Sequence, residues 1–63
     1  MSEVYIEYNG KKIKECKNRN QALVYVQNKI DGIPFSTITA ANGKTFIKLL
    51  GCDDLYKIIP NNL

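Results

Sequence analysis

The stretch Phe35-Ser36-Thr37-Ile38-Thr39-Ala40-Ala41-Asn42-Gly43-Lys44-Thr45-Phe46-Ile47-Lys48-Leu49-Leu50 decides the fold class. Two runs rich in β-branched and aromatic residues flank Asn42-Gly43, and Asn and Gly most easily adopt the positive φ that a two-residue hairpin turn requires. The stretch therefore reads as a β-hairpin. Pairing around that turn sets Ile38 opposite Ile47, Ala40 opposite Thr45 and Ser36 opposite Leu49 on one face. Thr39 then meets Phe46 and Thr37 meets Lys48 on the other, with Lys44 beside the turn. A helical reading of Thr45 to Leu50 competes, because Phe46, Ile47, Leu49 and Leu50 also fit a helical stripe.

The N-terminal segment repeats the pattern. Val4, Ile6 and Tyr8 alternate with Tyr5 and Glu7, and Asn9-Gly10 follows at once. A two-residue turn there places Tyr8 opposite Lys11, Glu7 opposite Lys12, Ile6 opposite Ile13 and Tyr5 opposite Lys14. Glu15 is the misfit, since the same register sets it opposite Val4 on the apolar face. Either the strand ends there or a bulge shifts the register.

Between the hairpins the period changes to that of a helix, with Ala22, Leu23, Val26 and Ile30 on one side. Asn18 or Asn20 can cap its start, Asn18 with Gln21 in capping-box spacing. Gly32 and Pro34 end it. The tail, Gly51 to Pro60, allows two readings. Asp53 could cap a short helix ended by Pro60, or Leu55 to Ile59 could form a last strand. The expected fold is α+β in the order β-β-α-β-β. It consists of a small antiparallel sheet of two Asn-Gly hairpins, one helix across one face, and a short C-terminal helix or strand.

With 63 residues the chain has room for one domain spanning 1–63, and its core must be thin. Hydrophobic residues are 44 % and charged residues 24 %, a globular rather than disordered balance. A thin core is often completed by a disulfide, a metal or a second subunit. The absence of a basic start followed by an apolar run makes the cytoplasm the expected compartment, with no membrane partner. There Cys16 and Cys52 are expected as reduced thiols packed like small hydrophobes. Homodimerisation is left open. Enrichment in Asn, Lys and Ile suits an accessory protein of an AT-rich bacterial genome or mobile element.

Several chemistries lack their residues. Without histidine there is no Ser-His or Cys-His nucleophile pair, and two cysteines 36 positions apart do not make a zinc site. Gly43-Lys44-Thr45 lacks the earlier glycine of a phosphate loop and reads as part of the hairpin. Asp53-Asp54 reads as a helix cap and first turn rather than a magnesium site. No catalysis, cofactor or metal is expected.

Surface binding remains. The net charge is +3, and Lys11, Lys12, Lys14, Lys17 and Arg19 fall within nine positions beside a single acid, Glu15. In the registers above, the sheet face away from the helix carries Tyr5, Glu7, Lys12, Lys14, Lys44, Phe46 and Lys48. Aromatic rings among lysines suit single-stranded DNA or RNA, whose bases stack while ammonium groups meet phosphates. Alternatively, the basic hairpin enters a duplex groove with Lys17 and Arg19 on the backbone. Against this stands packing: Tyr5 and Phe46 could be core residues covered by Leu50, Leu55, Ile58 and Ile59 if the tail folds over them. The alternative partner is a protein bound at a sheet edge or apolar patch, making the chain an inhibitor, adaptor or assembly subunit.

Overall fold

The computed structural model describes residues 2–62. Five strands, β1 (Val4–Tyr8), β2 (Lys11–Cys16), β3 (Phe35–Thr39), β4 (Thr45–Leu49) and β5 (Leu55–Pro60), form one antiparallel sheet in the order β2-β1-β5-β4-β3. One helix, α1 (Arg19–Lys29), lies between β2 and β3 in sequence and packs on one face against β1, β2 and β5. The α+β class and the β-β-α-β-β order are those expected. No helix among the described residues is long and apolar enough to cross a membrane.

β1 and β2 turn at Asn9-Gly10, where φ is 51° and 89°. Tyr8 faces Lys11 and Glu7 faces Lys12, but the register then shifts, and Ile6 faces Lys14, Tyr5 faces Glu15 and Val4 faces Cys16. Ile13 is the extra residue of a β-bulge. The bulge settles the Glu15 misfit. It moves Glu15 to the polar face and brings Cys16 against Val4 in the core, at the cost of exposing Ile13.

Asn18 caps α1, its Oδ1 accepting from the Gln21 N–H at 2.8 Å. Gln21 Oε1 accepts in turn from the Lys17 N–H at 2.7 Å, so the cap also holds the turn entering the helix. Ala22 and Val26 are buried, with Ile30 buried just past the last turn. Gly32, at φ 79°, lets the chain reverse toward Pro34 and β3.

The central hairpin departs from expectation by one residue. Thr39 pairs with Thr45, Ile38 with Phe46, Thr37 with Ile47, Ser36 with Lys48 and Phe35 with Leu49. The loop is longer than Asn42-Gly43 alone. The Ala40 N–H donates to the Lys44 carbonyl at 2.8 Å and the Gly43 N–H to the Ala40 carbonyl at 3.0 Å, leaving Ala41-Asn42-Gly43 as a three-residue connection. Only Gly43, at φ 93°, takes positive φ there; Asn42 instead accepts the Lys44 N–H on its side chain at 3.1 Å. Because side chains alternate with period two, the offset turns β3 over. Ile38 leaves the helix side, and Phe35, Thr37 and Thr39 take it. Thr45 to Leu49 is strand, not helix.

Of the two readings of the tail the strand holds, and the helix and the cover over Tyr5 and Phe46 do not form: Leu55–Pro60 is the middle strand of the sheet, pairing with β1 (Tyr5 to Ile59, Ile6 to Ile58) and with β4 (Thr45 to Ile58, Phe46 to Lys57). Asp53-Asp54 therefore caps no helix; it lies in the connection before β5. There the Asn9 side chain accepts from the Leu55 N–H at 2.9 Å and donates to the Asp54 carboxylate at 3.3 Å. Pro60 ends the strand, a position that needs no interior ladder donor. The core joins Val4, Ile6, Cys16, Ala22, Val26, Ile30, Ile47, Leu49, Tyr56 and Ile58. Full burial of each large apolar side chain favours the fold by about 1.5–3 kcal/mol.

Candidate functional site

The sheet face away from α1 has no covering element. The strand registers align Lys12, Glu7, Lys57, Phe46 and Ile38 in a row across all five strands. Beside it run Glu15, Tyr5 and Ile59, and on the other side Leu55, Lys48 and Ser36. Continuing the β4–β5 register by one residue places Lys44 next to Ile59. Ile59, between Tyr5 and Lys44 in that second row, is only 6 % exposed.

Both aromatic rings carry an ammonium group. Lys12 Nζ lies 5.0 Å from the Tyr5 ring centroid and Lys57 Nζ lies 5.8 Å from that of Phe46. Such contacts hold a cation over a π face by about 0.5–1 kcal/mol at exposed sites, weakly enough for a stacking base to displace it. Lys12 also pairs with Glu15 at 3.2 Å. The Ser2 hydroxyl donates to Glu15 as well, and these two donors hold the Glu15 carboxyl below the usual carboxylate range, Ser2 first.

Of the expected site residues, Tyr5, Lys12, Lys44, Phe46 and Lys48 come together on this face. Lys57 joins them and was missed, because its side depends on whether the tail is strand or helix. The basic stretch does not form one patch. The bulge places Lys14 opposite Ile6, on the helix side, where its Nζ lies 5.6 Å from the Tyr25 ring. Lys11 sits opposite Tyr8 on that same side, and Lys17 belongs to the β2–α1 connection. Arg19 is tied into the fold, its Nε donating to Thr45 at 3.1 Å and its terminal nitrogen to Thr39 at 3.0 Å. Tyr5 and Phe46 are half-buried by lateral neighbours; the covering by the tail does not occur. Cys16 is buried as expected, whereas Cys52 is exposed, and both are free thiols. Among the described residues no three of Cys, Asp and Glu are placed to hold a metal ion.

No family model, curated protein or solved structure matches this chain.

Proposed function

We propose that the protein is a small non-catalytic cytoplasmic domain that binds single-stranded nucleic acid on its open sheet face. The observation that carries this reading is the pair of partly exposed rings, Tyr5 and Phe46, on an uncovered face with Lys12, Lys44, Lys48 and Lys57. Bases stack on the rings, and the lysines meet the phosphates between them. With lysines rather than a free arginine fork on this face, the affinity is salt-sensitive and carries little sequence preference. Insertion of the first hairpin into a duplex groove fits less well, because the bulge splits the β2 lysines between two faces.

Amide NMR titration of the labelled protein with a short unstructured mixed-sequence single strand, and separately with a duplex, tests the reading. Shifts at Tyr5, Lys12, Phe46, Lys48 and Lys57 with the single strand, reversed by moderate salt, are expected. Absence of shifts at low salt, or shifts confined to Lys11, Lys14 and Lys17, would overturn it.

A further inference from the structure

The sheet order leaves β2 and β3 as its two edges, and they are built differently. β2 carries Lys11, Lys12, Lys14 and Glu15 and is bulged at Ile13, all features that oppose addition of another strand. β3 has no such defence. Phe35-Ser36-Thr37-Ile38-Thr39 contains no charge and no proline, pairs with β4 in unbroken register, and is exposed at every residue, Ile38 to 68 %.

The hydrogen-bond phase of the β3–β4 ladder shows which backbone groups are free. Its ends are bracketed by the Ala40 N–H to the Lys44 carbonyl at 2.8 Å and the Leu50 N–H to the Pro34 carbonyl at 2.9 Å. Hydrogen-bonded pairs alternate in an antiparallel ladder, so Ser36 and Ile38 point their N–H and C=O groups at β4. Phe35, Thr37 and Thr39 point theirs outward.

We propose that two copies of this chain associate by antiparallel pairing of β3 with β3 about a two-fold axis at Thr37, joining their sheets into one. In that register Thr37 faces Thr37 of the second copy and Phe35 faces Thr39 of the second copy. All three outward residues then become hydrogen-bonded pairs, about six bonds in all. Sliding by two residues loses two of these bonds, and sliding by one turns the side chains to the wrong faces. On the open side Ser36 covers Ile38 of the second copy, the most exposed of the large apolar side chains. On the helix side β-branched Thr37 meets its own copy, a favourable cross-strand pair.

Charge selects this occupant. A two-fold axis brings residues of like charge near one another, which an uncharged strand tolerates and the lysines of β2 do not. Arg19, held on Thr39, lies in the row that Phe35 of the second copy would continue, so a guanidinium meets a ring that its own chain leaves 38 % exposed. A five-residue strand pair buries less than the roughly 1,200 Å² of a standard stable interface, so the association is weak. It places two Phe46 patches on one side of a continuous sheet, where a single ligand strand could engage both.

The test is sedimentation velocity of the full chain from about 10 µM to about 1 mM, the range in which a weak dimer forms, with amide exchange at both ends. The expected result is a doubling of mass. Exchange at Phe35, Thr37 and Thr39 should slow roughly tenfold, with no change at Ser36 and Ile38, which are already bonded to β4. Thr37→Lys, exposed in the monomer, should abolish both effects. A monomer throughout the range would overturn the proposal, as would a dimer without protection at those three amides; both readouts use the natural chain and stand even if the variant folds poorly.

Discussion

The guanidinium of Arg19, in the first turn of α1, donates at 3.1 Å to the hydroxyl of Thr45, the one fully buried polar side chain among the described residues. A buried hydroxyl is tolerated when it is hydrogen-bonded. The cation that looked available for phosphate is engaged in holding the start of the helix to β4 and, through Thr39, to β3. Arg19→Ala should destabilise the fold by about 1–3 kcal/mol, the range for an orphaned buried partner. Urea unfolding with an unchanged m-value checks this. Adding Thr45→Val should recover much of the loss, since removing both partners leaves no unpaired group. An Arg19→Ala effect equal in the presence and absence of Thr45→Val would show that the bond carries no stability.

Two features explain where sequence reasoning succeeded and where it stopped. Local rules sufficed for Asn9-Gly10, for the Asn18 cap and for the Ala22-Val26-Ile30 stripe, because each depends on neighbours a few residues away. Glu15 marked a misfit that either a strand end or a bulge would settle, and the bulge at Ile13 is what settles it. The placement of Leu55–Pro60 rests on pairing with Val4–Tyr8, across most of the chain, and no local signal encodes that. Its apolar residues, Leu55, Ile58 and Ile59, fit a helical stripe as well as a strand. Lys57 was lost to the candidate face for that reason. In the central hairpin, Ala41 extends the loop by one residue, a choice between turn types that Asn-Gly composition does not decide, and every β3 side chain changed face with it.

Gly43 and Gly10 share nearly the same φ, 93° and 89°, but differ in surroundings. A Cβ at Gly43 would lie 3.3 Å from Pro60 Cγ, whereas at Gly10 nothing lies within 4 Å. Gly10→Ala should therefore cost only the left-handed backbone strain, about 1–2 kcal/mol. Gly43→Ala should cost more, and Pro60→Ala in the same chain should remove the excess. Thermal unfolding of the four proteins gives the comparison. Equal costs for the two single glycine variants would mean that the Pro60 ring yields without penalty.

The Tyr8 phenol is held above the usual tyrosine range, chiefly by hydrogen bonding to the Asp54 carboxylate and then by desolvation and the Asp54 charge. A folded-state pKa raised above the unfolded one gives stability that is present below the ordinary tyrosine range and lost as pH rises through the folded value. Tyrosine ring resonances followed by NMR against pH should show Tyr8 titrating above the ordinary tyrosine range. Asp54→Ala should bring Tyr8 back toward the ordinary range and flatten the alkaline loss of stability. A Tyr8 titration unmoved by that change would exclude Asp54 as the cause.

Lys12 and Lys14 stand two positions apart in one strand, where simple alternation would put them on the same face; the Ile13 bulge puts them on opposite faces. Lys12 lies over Tyr5 on the open side, and Lys14 lies over Tyr25 on the helix side. If single-stranded nucleic acid binds the open face, Lys12→Glu should weaken binding by about 3- to 10-fold near physiological salt. It should also lower the log–log salt slope by about one. Lys14→Glu should change neither by more than about twofold, because at that ionic strength the Debye length of about 8 Å screens a charge on the far side of the sheet. Fluorescence anisotropy with a labelled single strand, run as a salt series on the three proteins, reads both quantities. Equal losses in the two variants would mean that the ligand senses net charge alone, and the row from Lys12 to Ile38 would then have no claim to be the binding surface.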